Sequence, residues 1–483
     1  MARKTLNRKN LVDLDADRLA ELLLQAVEGD AARQRRVRMA LAEGQSAQDT
    51  AADIRKRFAS IRRARSFLSS RGQQRLVREL ADLIGVIEAQ VAPRAPDLAF
   101  DLLWSLLHLA PSIHARTDDS QGRIGDVMRA AMEAMARLAP ALSQDPVALA
   151  DTLFDALREN GHGQVVGAAH ALAAALGPTG LDHLKVRAES ALAAPLTEAD
   201  LERYAFISEP QRRAEAAARG RDQTLSMILK DVADLQGDVD AWLARYTPEQ
   251  LRFHTIAPSA AHRLLAAGRA EEALRIVEGA LAEGARGPST FDTPDLDDAH
   301  FACLEALGRE ADLRRALWAR FERRLCPDAL RRYLARLPDF EDVEAEEAAK
   351  AHVLRFEAVS PALAFCRAWP DLPLAARLVL DRADEIDGDL YELLTPAADA
   401  LVADHPLAAV LLWRAMIRFS LETARSTRYR HAARHLASCT AADAAISEYG
   451  PHPDHDDFVQ DLRTAHGRKT GFWTRADTLV RPG

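Results

Sequence analysis

The chain is poor in several residue types, and each shortage excludes something. Of 483 residues only 7 are Lys and 3 Asn, against 56 Arg and 94 Ala. The Arg-over-Lys skew reflects codon composition more than chemistry. Aromatics make up 6%, and runs of β-branched residues are few, which disfavours a sheet-built core. The four cysteines, Cys303, Cys326, Cys366 and Cys439, lie 23, 40 and 73 residues apart. With no CxxC pair, neither a zinc knuckle nor a redox dithiol is signalled, and buried free thiols in a reducing cytoplasm are expected. Long apolar runs are also missing. The two most apolar windows, 98–110 and 406–417, fall short of the ~20 residues a spanning helix needs. Asp101 and Arg414 interrupt them, so both read as buried helices and no membrane is expected. No apolar segment follows the charged start Met1-Ala2-Arg3-Lys4, so a secretory signal is not expected either. Walker-type phosphate loops, GxGxxG after a strand and GxSxG are absent, and no cofactor is expected.

What is present is helix-forming sequence. Ala, Leu, Arg and Glu dominate a chain that is 48% hydrophobic and 28% charged, ample for a core and typical of helix throughout. Asp15 is placed to cap a helix over 16–27 with Leu19, Leu22, Leu23, Ala26 and Val27 on one stripe and Gly29 as its stop. Asp30 is placed to cap a second helix running to about Glu43. A third is predicted over 47–68, where Ile54, Phe58, Ile61 and Leu68 repeat at helical spacing. Breakers such as Pro93-Arg94-Ala95-Pro96, Gly161-His162-Gly163, Gly177-Pro178 and Gly287-Pro288 divide the remainder into helix pairs.

One internal repeat stands out. Leu264 to Ala273 and Leu304 to Leu313 share Leu-x-x-x-Gly-Arg followed by an acidic residue three positions on, at an offset of 40 residues. A glycine in a tight left-handed turn would end one helix and start the next. Ala175-Leu176-Gly177 looks like a degenerate copy. The pattern is close to tetratricopeptide-like hairpins, although that repeat has ~34 residues. The expected fold is all-α: an α-α superhelix, or solenoid, of helical hairpins, tetratricopeptide-like in the middle.

Charge is uneven. The net charge of -9 averages a head and a body of opposite sign, because residues 1–78 hold 18 Lys+Arg against 9 Asp+Glu. Such polarity steers an anionic partner or docks the head onto the body itself.

Three segments carry candidate chemistry. In the loop around Asp118, Asp119 and Ser120, paired carboxylates could hold a divalent ion or act as an acid/base pair. An EF-hand template fails there, with Arg123 at the sixth position and Arg129 at the twelfth. The plainer reading is a turn in which Asp119 or Ser120 caps a helix starting near Ile124. The second segment is the Arg-rich head, 33–38 and 55–65, where Arg55, Lys56, Arg57, Arg62 and Arg63 form a face suited to nucleic acid or an acidic protein. Phe58 and Phe67 fall at or near its apolar stripe, which argues against base stacking and for a solvated or internally paired face. The third is the C-terminal end, with five of the 15 histidines between His431 and His466. His431 and His435 sit at i and i+4 and could ligate a metal with His452 or His455, but the HExxH form is absent. Arg428, Tyr429, His431, His466, Lys469 and Trp473 would also suit an anionic ligand. The plain alternative is a terminal cap in which Tyr429, Leu436, Phe458, Leu462, Phe472 and Trp473 close the core.

The opening Lys4-Thr5-Leu6-Asn7, the segments Ile61 to Leu68 and Asp118-Asp119-Ser120, Tyr429-Arg430-His431-Ala432-Ala433, and His466-Gly467-Arg468-Lys469 with Phe472-Trp473 together resemble a bacterial helical family designated a domain of unknown function. Its C-terminal part is similar to regions that follow the zinc finger in some SWIM-type proteins. The SWIM pattern of CxC then CxH is absent from this chain, so that module's zinc and DNA contacts are not implied. The resemblance implies a bacterial cytoplasmic helical protein and no activity. Four regions are expected: a basic helical region over 1–95, a region over 96–200 with the Asp118-Asp119-Ser120 loop, tetratricopeptide-like hairpins over 201–350, and a C-terminal region and cap over 351–483. The leading expectation is a scaffold binding a protein or peptide. A metal- or anion-binding protein or enzyme with a C-terminal His/Arg/Lys site, and nucleic-acid association through the Arg-rich region, are the alternatives.

Overall fold

A computed structural model describes residues 11, 14–30, 33, 34, 37, 46–284 and 293–480. The Met1-to-Asn10 start, most of the 33–38 arginine run, the second predicted helix beyond Val37 and the Gly287-Pro288 breaker lie outside them.

Among the described residues every regular element is a helix. Local chemistry explains most of the starts. Asp15 accepts the Arg18 N–H at 2.7 Å to open Ala16–Val27, and Gly29 beyond its end sits at φ +77°. Ser46, Ser69, Asp145 and Asp454 cap their helices in the same way. Thr197 and Asp200 form a reciprocal capping box. Pro96, read as part of a breaker, occupies the first helical turn, as do Pro146, Pro210, Pro294 and Pro406; there the missing N–H costs no intrahelical bond.

The chain divides into two units, Met1–Leu251 and Arg252–Gly483. In the first, Ala47–Arg63 packs on Pro96–Leu107, which packs on Arg123–Leu138; Pro146–Arg158, Ala173–Ala193 and Pro210–Gln236 follow as successive neighbours. Leu102, Leu103, Leu106 and Leu107 of the first apolar window are fully buried in its core, each contributing on the order of 1.5–3 kcal/mol. In the second, Ala257–Ala266, Ala270–Gly284, Pro294–Ala306 and Glu310–Arg324 pack each on the next. A second core runs from Phe321 to Ala476 and takes in the second apolar window. Contacts between helices near in sequence are the pattern of an α-solenoid of hairpins.

The glycine repeat takes the same turn twice. Gly268 and Gly308 lie at φ +73° and +66°. The Arg269 N–H donates to Leu264 O at 2.8 Å and the Gly268 N–H to Leu265 O at 3.0 Å; the bonds from Arg309 to Leu304 and Gly308 to Glu305 measure 2.9 and 3.0 Å. This is the Schellman pair of bonds. Arg269 then pairs with Glu272 at 2.7 Å and Arg309 with Asp312 at 2.6 Å, which accounts for the acidic residue three positions on. Gly177 differs: at φ 53° and ψ -171° it makes a kink into Pro178 rather than this turn.

Two expectations need correction. The predicted helix over 47–68 ends at Arg63, and residues 64–69 run on as a connector to the Ser69 cap. Leu22, Leu23 and Leu24 of Ala16–Val27 are exposed, and Val27 is that helix's one buried side chain. Helical periodicity describes a face but does not say what packs on it. No helix among the described residues is long and apolar enough to cross a membrane.

Candidate functional site

The Asp118–Asp119 loop is tied down by its own carboxylates. Asp119 accepts the Ile124 N–H at 3.1 Å and the Gly125 N–H at 3.4 Å, satisfying the open end of Arg123–Leu138. The side-chain amide of Gln73, itself buried, donates to Asp119 Oδ1 at 2.9 Å and to the Asp118 carbonyl at 3.1 Å. Asp118 accepts the Ser120 N–H at 3.0 Å. The loop therefore has the geometry of the capping turn. Gly122, at the Ncap position, has no side chain to do this, so Asp119 reaches forward in its place.

The C-terminal candidates lie in the second unit. Tyr429 and Trp473 are buried, and both stand edge-on to the Phe472 ring at 6.2 and 4.9 Å. The Trp473 indole N–H donates to the His466 carbonyl at 3.0 Å, and the Arg463 guanidinium lies 4.1 Å above its ring. The Lys469 ammonium donates to the Leu421 carbonyl. Arg428 pairs with Asp389 at 2.6 Å and covers the Tyr391 ring at 4.8 Å. His431 is exposed. Burial and the neighbouring Lys469 charge hold the His466 imidazole below its ordinary pKa. Burial, with His431 close by, pushes His435 down to about 4. The buried His455 places Nε2 3.1 Å from Thr440 Oγ1. Among the described residues no group of three or more His, Cys, Asp or Glu is placed to hold a metal ion.

Arg414 was readable only as a charge interrupting an apolar window. It is 2% exposed, donating to the Pro453 carbonyl at 2.7 Å and the Asp454 carbonyl at 3.1 Å, with the Phe458 ring 4.4 Å away. It fastens the segment before His455–His466. Cys303, Cys366 and Cys439 are buried, and burial pushes their thiols up to about 11, 12 and 12, which suppresses the thiolate.

The basic head behaves differently. Arg57 grips Glu79 through two bonds of 2.6 and 2.7 Å. Lys56 pairs with Asp53 at 3.1 Å, and Arg63 donates to the Ala59 carbonyl at 3.2 Å. Arg55 and Arg62 are exposed. A cavity of about 480 Å³ in this region is lined among others by Arg57, Ser60, Leu68, Arg75, Glu79 and Arg116. Arg116 is 7% exposed and its Nε has no hydrogen-bond partner. The two phenylalanines split: Phe58 is buried, whereas Phe67 is 71% exposed. The expectation that Phe67 shares the apolar stripe is corrected, because the helix ends four residues before it and helical spacing no longer governs where its ring points.

Fold and sites together define an all-α protein of stacked helical hairpins. The chain belongs to a family of unknown function, DUF6880, whose model matches residues 1–475. No curated protein matches it. Among solved structures, a "circular tandem repeat protein with novel repeat topology and enhanced subunit contact surfaces" shares 14% identity over 98% of this chain and 93% of that one, at a TM-score of 0.15.

Proposed function

We propose that this protein is a cytoplasmic interaction scaffold of bacterial cells whose helical hairpins bind a protein or peptide partner. The observation that carries the reading is Phe340. It is 83% exposed and holds φ +76°, a conformation that non-glycine residues rarely adopt, at the start of Glu341–Arg355. Val343, one turn on, is 60% exposed. An aromatic held outward at a conformational cost is a feature of binding surfaces more than of folding. Burying such a ring against a partner contributes on the order of 1.5–3 kcal/mol, roughly ten- to a hundredfold in affinity.

A peptide-display selection on the full chain tests this, followed by calorimetric titration of the selected peptides. The expected result is peptides of roughly micromolar affinity that bind Phe340→Ser at least about tenfold more weakly, with the variant's melting temperature retained. A selection that enriches nothing, or peptides indifferent to that substitution, would overturn the reading.

A further inference from the structure

Between Asp53 and Glu79 the chain carries nine Lys and Arg and no Asp or Glu. The centre of that stretch is the connector 64–69. It is held in place: the Leu68 N–H donates to the Arg116 carbonyl at 2.8 Å, and Arg116 Nη1 reaches the Ser66 carbonyl at 3.4 Å. Leu68 turns inward onto the core. Phe67, next to it, stays exposed on this fixed support.

In the sequence on either side of Phe67, the exposed side chains of Arg62, Arg65, Arg71 and Arg75 make no ion pair or hydrogen bond among the described residues, in a chain with a surplus of carboxylates. Arg71 and Arg75 are one turn apart and share a face of Ser70–Val86. Arg75 and Arg116 line the cavity beside the connector. Of the two carboxylates there, Glu79 is held by Arg57, and Asp30 pairs with Arg33 at 3.2 Å. Among the described residues Arg75 and Arg116 are left with no opposing carboxylate, in a space large enough for a phosphate group.

We infer that the connector 64–69 and the flanking arginines form a binding site for single-stranded nucleic acid, with Phe67 stacking on a base and Arg62, Arg65, Arg71 and Arg75 following the phosphates. Unpaired guanidinium groups flanking an exposed ring in sequence supply what such a strand requires: charge for its backbone and a flat apolar face for its bases. An acidic protein would use the charge and not the ring. A duplex hides its base faces. The site belongs to the first unit and is independent of the Phe340 reading.

The test uses the full chain and fluorescein-labelled oligothymidylate and oligouridylate of about 20 nucleotides, read by fluorescence anisotropy across a salt series starting near 50 mM. Expected is roughly micromolar binding at low salt whose logarithm falls with log salt at a slope of about -3, as four phosphate contacts require. Phe67→Ala weakens binding by roughly five- to a hundredfold and leaves the slope intact. Arg71→Gln with Arg75→Gln flattens the slope by about 1 to 1.5. Circular dichroism melting of each variant matches the unaltered protein, so loss of fold is not the cause. The inference is overturned if no strand binds at low salt, if Phe67→Ala binds as well as the unaltered chain, or if duplex DNA and polyglutamate bind equally well.

Discussion

His435 makes the stability of the second unit depend on pH, and the size of the effect can be worked out. It lies on Tyr429–Asp443, four residues from His431. Burial, followed by the proximity of His431, lowers its pKa to about 4, with Asp399 pulling weakly the other way. An unfolded chain binds a proton at this residue below about pH 6.5, whereas the folded protein resists until about pH 4. The unfolded state therefore holds more protons between those values, and stability falls as pH falls through that window. Each pH unit removes about 1.4 kcal/mol, so roughly 2 kcal/mol is gone at pH 5 and about 3 kcal/mol at pH 4. Above pH 6.5 the residue contributes no pH dependence. Urea unfolding of the full chain and of His435→Gln at about pH 7.5 and pH 5 isolates the effect. The carboxylates, and the depressed His455 and His466, titrate alike in both proteins and cancel. The variant should lose about 2 kcal/mol less than the parent on acidification. Equal losses would refute a half-buried His435 held neutral by the fold.

Asp119→Ala should destabilise the first unit by about 1–2 kcal/mol, by freeing the Ile124 and Gly125 N–H groups and the buried Gln73 amide; thermal melting reads it, and calcium should leave the unaltered protein's melting temperature unmoved. Gly388→Ala should be far more damaging than its exposed neighbours suggest. An added Cβ would overlap the Ala415 carbonyl and lie 2.7 Å from Phe419 Cβ, costing about 3 kcal/mol or more. Gly308→Ala meets open space but keeps φ +66°, so a cost of about 1–2 kcal/mol is expected; equal melting temperatures for the two glycine variants would contradict the steric distinction.

Much of the local structure was legible beforehand. The Asp15 cap, the Gly29 stop and the Gly268 and Gly308 turns follow from residues three to six positions apart. Asp119 was legible as a cap for the same reason. The connector was not. Ile61 and Leu68 keep helical spacing across a helix end, and both are drawn inward, so periodicity ran on past Arg63 and took Phe67 with it. Arg414 gave no signal of its inward direction, because its partners are backbone carbonyls about 40 residues away, and any sequence supplies carbonyls.

By itself, then, the sequence determined an all-α chain, where many of its helices begin and end, and the repeated hairpin turn. These depend on hydrogen bonds that span one turn of helix, and their partners are written next to one another. The tertiary structure alone decided which charges are matched and which aromatics are covered: Arg57 meets Glu79 over 22 residues and Gln73 meets Asp119 over 46, while Phe67 and Phe340 stay largely exposed. Burial and pairing belong to contacts between distant segments, and composition averages them away. The shortage of aromatics noted at the outset matters for that reason, since Phe67 and Phe340 are among the few that are held out in solvent.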